Sequence, residues 1–195
     1  MIDALLLFGQ QEHIGVGIDY IDAAAFQQRV TIQLRDATVA DVLDTITRPF
    51  GYQWSANGQV VRVTHPGGMV GKRNLLNTRI AKFEVSEMPI EQADCRLKIA
   101  FHFALHPNSS GIAGDCPYGG IAYRIGSMEM KSATVRQILD AIVSQRGNGA
   151  WVVQQPPWTM DKDLGHGFWK VLAYDRTDGA YSRGLLVQGL GVQRR

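Results

Sequence analysis

The chain has 195 residues, 45% hydrophobic and 19% charged, with a formal net charge of +2. That is globular composition with enough apolar material for a sizeable core, in one domain or two small ones. The near-neutral charge, with no dense Lys/Arg run before Arg194-Arg195, excludes the electrostatic footprint of a nucleic-acid binder, and no apolar run is long enough to span a bilayer.

Leu5-Leu6-Leu7-Phe8 is too short for a signal-peptide core and Asp3 has the wrong charge for its front end. The chain as it stands therefore carries no export signal; Met1 is either a native start or a start placed after a removed leader. Spacing predicts an amphipathic helix over 2–12 with Ala4, Leu5, Leu7 and Phe8 inward, although Gly9 weakens it. Ile14, Val16, Ile18 and Tyr20 alternate as in a strand. The Gly15-Val16-Gly17 within it is no dinucleotide fingerprint, because the third Gly and the following helix are missing.

A strand is predicted over 30–34 and a helix from Thr38 to about Arg48, stopped by Pro49 and turned at Gly51. Tyr52, Trp54 and Ala56 alternate, Asn57-Gly58 suits a type I′ turn, and Val61 and Val63 answer as the second strand of a hairpin. His65-Pro66-Gly67-Gly68 opens a linker. Beyond it, a strand is predicted over 78–85. A helix follows over 90–105, with Ala93, Leu97, Ala100, Phe101 and Ala104 inward. After a Pro/Ser/Gly loop over 107–120 come a strand over 123–131, a second capped helix ended by Gly147-Asn148-Gly149, and a strand over 150–154. The hairpin partner of that strand is expected over 168–174; past Asp175 the pattern fades, leaving 181–192 as one more strand or a tail.

Two stretches stand out because they match. Ala37-Thr38-Val39-Ala40-Asp41-Val42-Leu43-Asp44-Thr45-Ile46 is answered about 96 positions later by Ala133-Thr134-Val135-Arg136-Gln137-Ile138-Leu139-Asp140-Ala141-Ile142. Thr38 with Asp41, and Thr134 with Gln137, have capping-box spacing. The apolar stripes Val39, Val42, Leu43, Ile46 and Val135, Ile138, Leu139, Ile142 each mark one helical face. Chance coincidence of two capped helices is the plainer account, but strand, cap and stripe in the same order favour an internal repeat. The expected fold class is α+β: two related units, each a mixed sheet covered by two short helices, at 1–66 and 78–175, with a linker over 67–77 and a tail over 176–195.

The segment 30–46, with Phe50-Gly51-Tyr52-Gln53-Trp54, Asn57-Gly58 and Val60-Val61-Arg62-Val63, resembles the short N-terminal domain shared by secretins and TonB-dependent receptors. The resemblance covers about 30–64 and is weaker in the second unit, where the spacing is altered and the Asn-Gly turn is absent. It implies a non-enzymatic signalling or docking module of the cell envelope, periplasmic or otherwise extracytoplasmic, with no cofactor and no catalytic residues. Cys95 and Cys116 allow either one disulfide or two reduced thiols. They are the only cysteines and flank one helix-to-loop excursion, and the extracytoplasmic setting of the module's relatives leads to the disulfide.

The partner implied is another envelope protein, docking along a strand edge: the hairpin strand over 59–64, with Gln59, Val61 and Val63, or the strand over 150–154, with Trp151 and the neighbouring Trp158. Self-association as a homodimer is the competing account. A different class of function, a small hydrolase or metal-dependent enzyme, would draw on Cys95, His102 and His106, with Cys116 in the next loop, although the spacing is that of no standard zinc motif. A ligand-binding domain between the units is the third reading. His65 and His166 sit in Gly/Pro-flanked loops. Asp41, Asp44 and Asp140 read as caps or solvent-facing residues and Asp161 as a scattered acid, while Trp54, Trp151 and Trp169 read as core.

Overall fold

The computed structural model describes residues 1–19, 31–65, 74–110, 116, 124–145, 149–153 and 169–173. Helix α1 (Ile2–Glu12) leads into β1 (Gly15–Ile18). Helix α2 (Val39–Thr47) runs through a short 3-10 turn to Gly51, whose φ of 73° closes it, and then to the hairpin β2 (Gln53–Asn57) and β3 (Val60–Thr64). Past 73 come β4 (Arg79–Val85), β5 (Met88–Pro89), α3 (Ile90–Leu105), β6 (Arg124–Ile125), β7 (Met128–Thr134), α4 (Val135–Ser144), β8 (Gly149–Val153) and β9 (Trp169–Ala173).

The class is α+β, and one five-stranded sheet takes strands from both halves of the chain in the order β2-β3-β1-β8-β9. Strand β1 is the pivot: it pairs in parallel with β3 on one side and with β8 on the other. The halves therefore do not carry separate main sheets. The β4–β7 ribbon and the short β5–β6 pair stand beside this sheet.

Strand periodicity divides the core in two. Val16, Ile18, Val61, Val63, Ala150 and Val152 point to one face, where Leu5 and Phe8 of α1 and Leu43 and Ile46 of α2 cover them. Val60, Trp151, Val153, Trp169 and Val171 point to the other, against α3, α4 and the inward side of the ribbon. The central strands are buried on both faces, as parallel strands must be when helices cover both sides. The two matching helices thus lie on opposite faces of one sheet.

Gly15 and Gly17 face the α4 side. A Cβ on Gly17 would stand 2.5 Å from the indole of Trp151, and one on Gly15 would press on Val60 and Val143 at 3.1 and 3.2 Å. The Gly-x-Gly spacing exists for close packing.

Both capping boxes form. Thr38 Oγ1 accepts from the Asp41 amide at 3.2 Å while Thr38 N donates to Asp41 Oδ2 at 2.9 Å. Thr134 and Gln137 repeat this at 3.2 and 2.8 Å. Two residues before each cap a non-glycine residue takes a left-handed turn, Asp36 at φ 52° and Ser132 at φ 50°. In the ribbon this turn has a visible effect. Ile80 and Phe83 are both inward although three residues apart, as are Ala133 and Met130 opposite them, so the pleat changes phase at Ser132.

Three local expectations are corrected. Residues 31–34 form no strand, and Val30 lies outside the described residues; the half-buried Ile32 and Leu34 keep the alternation but no described strand runs beside them. Val39 is 45% exposed rather than inward, because α2 covers the sheet margin while all four stripe residues of α4 are buried. The hairpin loop is Gly58-Gln59, with Asn57 still in the strand. Gly58 has φ 60° and Gln59 no positive φ, so the turn follows a type II′ pattern with Gly at its first central position.

Candidate functional site

Neither proposed docking strand is an edge. Strand β3 lies between β2 and β1, and β8 lies between β1 and β9. Val61 and Val63 are buried under α1 and α2, and Gln59 is an exposed turn residue whose carbonyl accepts from Gly15 N at 2.9 Å. Trp151 is fully buried, with its indole hydrogen-bonded to Asp140 Oδ1 at 2.9 Å. Trp158, His166 and Asp161 lie outside the described residues. The reason for the misplacement is β1: a strand from before the first hairpin inserts between the two hairpins and satisfies the edges they would otherwise expose.

Among the described residues, the edges of the main sheet are β2 and β9. On β2 the register identifies the open groups. Val63 O accepts from Asp19 N and Gln59 O from Gly15 N, so Val61 and Val63 turn their backbones toward β1, and Arg62 and Thr64 turn theirs toward β2. Ser55 and Gln53 oppose these two and are hydrogen-bonded; Trp54 and Ala56 therefore direct N–H and C=O away from the sheet. Four of the five residues of β2 are exposed, and Gln53-Trp54-Ser55-Ala56-Asn57 contains neither a charge nor a proline.

Asp44 and Asp140 are not solvent-facing caps. Each accepts the indole N–H of a tryptophan on the strand beneath its helix: Trp54 to Asp44 at 2.8 Å, Trp151 to Asp140 at 2.9 Å. The signal was present in the sequence, as an Asp six residues after each capping Thr and a Trp ten or eleven residues further on. Asp140 is buried and its second oxygen takes Arg62 Nε at 2.7 Å, so its charge is paired and both oxygens are satisfied.

Next to it, Asp19 at the end of β1 pairs with Arg136 of α4. Burial pushes the Asp19 carboxyl up against the opposing pull of Arg136 and Arg62, and its Oδ1 has no hydrogen-bond partner among the described residues. On α3, Asp94 accepts from Trp169 Nε1 at 2.8 Å and Lys98 Nζ at 2.6 Å, and burial again raises the carboxyl more than these partners lower it. These carboxylates lock helices to the sheet.

Cys95 and Cys116 are joined as a disulfide with Cα atoms 5.6 Å apart, tying the loop after α3 back to the helix. The thiolates of the suggested ligand set are thereby consumed. Among the described residues no group of three or more His, Cys, Asp or Glu side chains could hold a metal ion. His102 and His106 remain side by side, ring centroids 5.0 Å apart, at an open groove at the end of α3. His65 packs edge-on against Tyr52 at 4.8 Å. Among the described residues no helix is long and apolar enough to cross a membrane.

Compared with protein-family models, curated proteins and solved structures, the chain finds no match. The resemblance to the short N-terminal domain therefore stands on the residues quoted for it.

Proposed function

We propose that this protein is a non-enzymatic docking module of the cell envelope that receives an extended segment of another envelope protein along β2. The observation that carries the reading is the outer edge of β2, which no described strand covers. Natural sheets blunt exposed edges with charges, prolines or bulges, and β2 has none of these while Trp54 and Ala56 present backbone donors and acceptors outward. A strand added there gains affinity from main-chain hydrogen bonds and specificity from alternate side chains. An extracytoplasmic setting is supported by the Cys95–Cys116 disulfide, which persists in oxidising compartments, and by the resemblance of 30–64.

The test is amide hydrogen exchange at Trp54 and Ala56. Docking requires fast exchange in dilute protein and protection in cell-envelope extract, with no protection on raising the protein's own concentration. Ala56→Pro removes one outward N–H, leaves the β2–β3 ladder whole, and should abolish extract-induced protection of Trp54 while changing stability by less than about 1 kcal/mol. Protection that follows the protein's own concentration identifies a homodimer instead, and no protection in extract overturns docking.

A further inference from the structure

The geometry points to a divalent transition-metal site at the C-terminal end of α3, formed by the imidazoles of His102 and His106. The two residues are one turn apart, and their ring centroids stand 5.0 Å apart with the planes tilted by 49°. Imidazole nitrogens hold Zn²⁺ at about 2.0–2.1 Å, and the same ligands suit Ni²⁺ and Cu²⁺. Two rings at this separation reach one ion with small side-chain rotations. Cys95 does not belong to the set: it lies seven residues before His102, about 10 Å along the helix axis, and is bonded to Cys116.

The surroundings favour a cation. His106 is the C-cap of α3, so both rings stand where the last carbonyls lack intrahelical donors and the helix presents its negative end. Among the described residues the groove is lined by His102, Leu105, His106, Pro107, Asn108 and Ser109, which brings side-chain oxygens alongside the imidazoles and no Lys or Arg. Nε2 of His102 stands 3.2 Å from Ser109 Oγ, so this nitrogen faces the groove and not the core. His102 is half-buried and held in place, whereas His106 is exposed and free to close on the ion. The protein supplies two nitrogens and water completes the coordination. Among the described residues an oxygen-preferring ion such as Mg²⁺ or Ca²⁺ has no comparable ligand set here.

Calorimetric titration of tag-free protein, shown by thiol titration to be fully oxidised, tests this with Zn²⁺ as the probe. One equivalent is expected to bind, with affinity falling at least tenfold in His102→Ala and in His106→Ala and unchanged in His13→Ala and His65→Ala. Mg²⁺ and Ca²⁺ should give no heat of binding. Alanine favours helix, so circular dichroism should show both α3 variants folded. Absence of Zn²⁺ binding, binding retained in the double variant His102→Ala/His106→Ala, or binding that appears only after the disulfide is reduced would each overturn the site.

Discussion

Gly17 and Trp151 show how much of this fold rests on single contacts between distant parts of the chain. The indole of Trp151 packs against β1 where Gly17 has no Cβ to hold it off, and its N–H is fixed by Asp140. Gly17→Ala should cost about 1–3 kcal/mol as an overpacking substitution. In a double-mutant cycle with Trp151→Leu, measured by denaturant melts, the two changes should couple by at least about 0.5 kcal/mol, because the smaller side chain vacates the space the methyl needs. Additive losses would mean that the glycine is there for some other reason. The spacing of Gly15-Val16-Gly17 lacks the third Gly and the helix of a dinucleotide fingerprint. It could not supply the reason for the glycines, since the contacting indole is far along the chain. Asp44 and Asp140 were misread similarly: each aspartate is polar and sits on a helix, but its partner is a tryptophan on the strand below.

At the scale of elements, what is local was legible. The capping boxes depend on residues three apart, and α1 and α3 begin and end where their spacing predicts. The segment 31–34 failed because a strand needs a neighbour, and alternation cannot say whether one is present. The hairpin was recognised but its loop was placed one residue early, since Asn-Gly favours one turn type only when the flanking register permits it. Leu43 and Leu139 occupy matching positions and both are fully buried. Replacing either by alanine should cost about 2–5 kcal/mol in denaturant melts, with Leu139 toward the upper end because α4 is enclosed along its whole stripe. A loss below about 1 kcal/mol at both would remove these helices from the core.

For the whole molecule, the decisive feature is the insertion of β1 between the two hairpins. It converts two edges that the sequence suggested were open into interior strands, and leaves β2 and β9 at the margins of the main sheet. Such non-local parallel pairing has no signature in periodicity, so the α+β class was legible in the sequence and the interior positions of β3 and β8 were not. The paired carboxylates and the two-faced core hold the helices on this one sheet, while the disulfide ties the loop after α3 back to its helix. Residue-resolved amide hydrogen exchange on dilute protein tests the central claim most directly. Amides of β1, β3 and β8 engaged between these strands should exchange together at the rate of global unfolding, while Trp54 and Ala56 on β2 exchange many times faster. Independent opening of β8 from β1, or Trp54 and Ala56 as slow as Val61, would contradict the account.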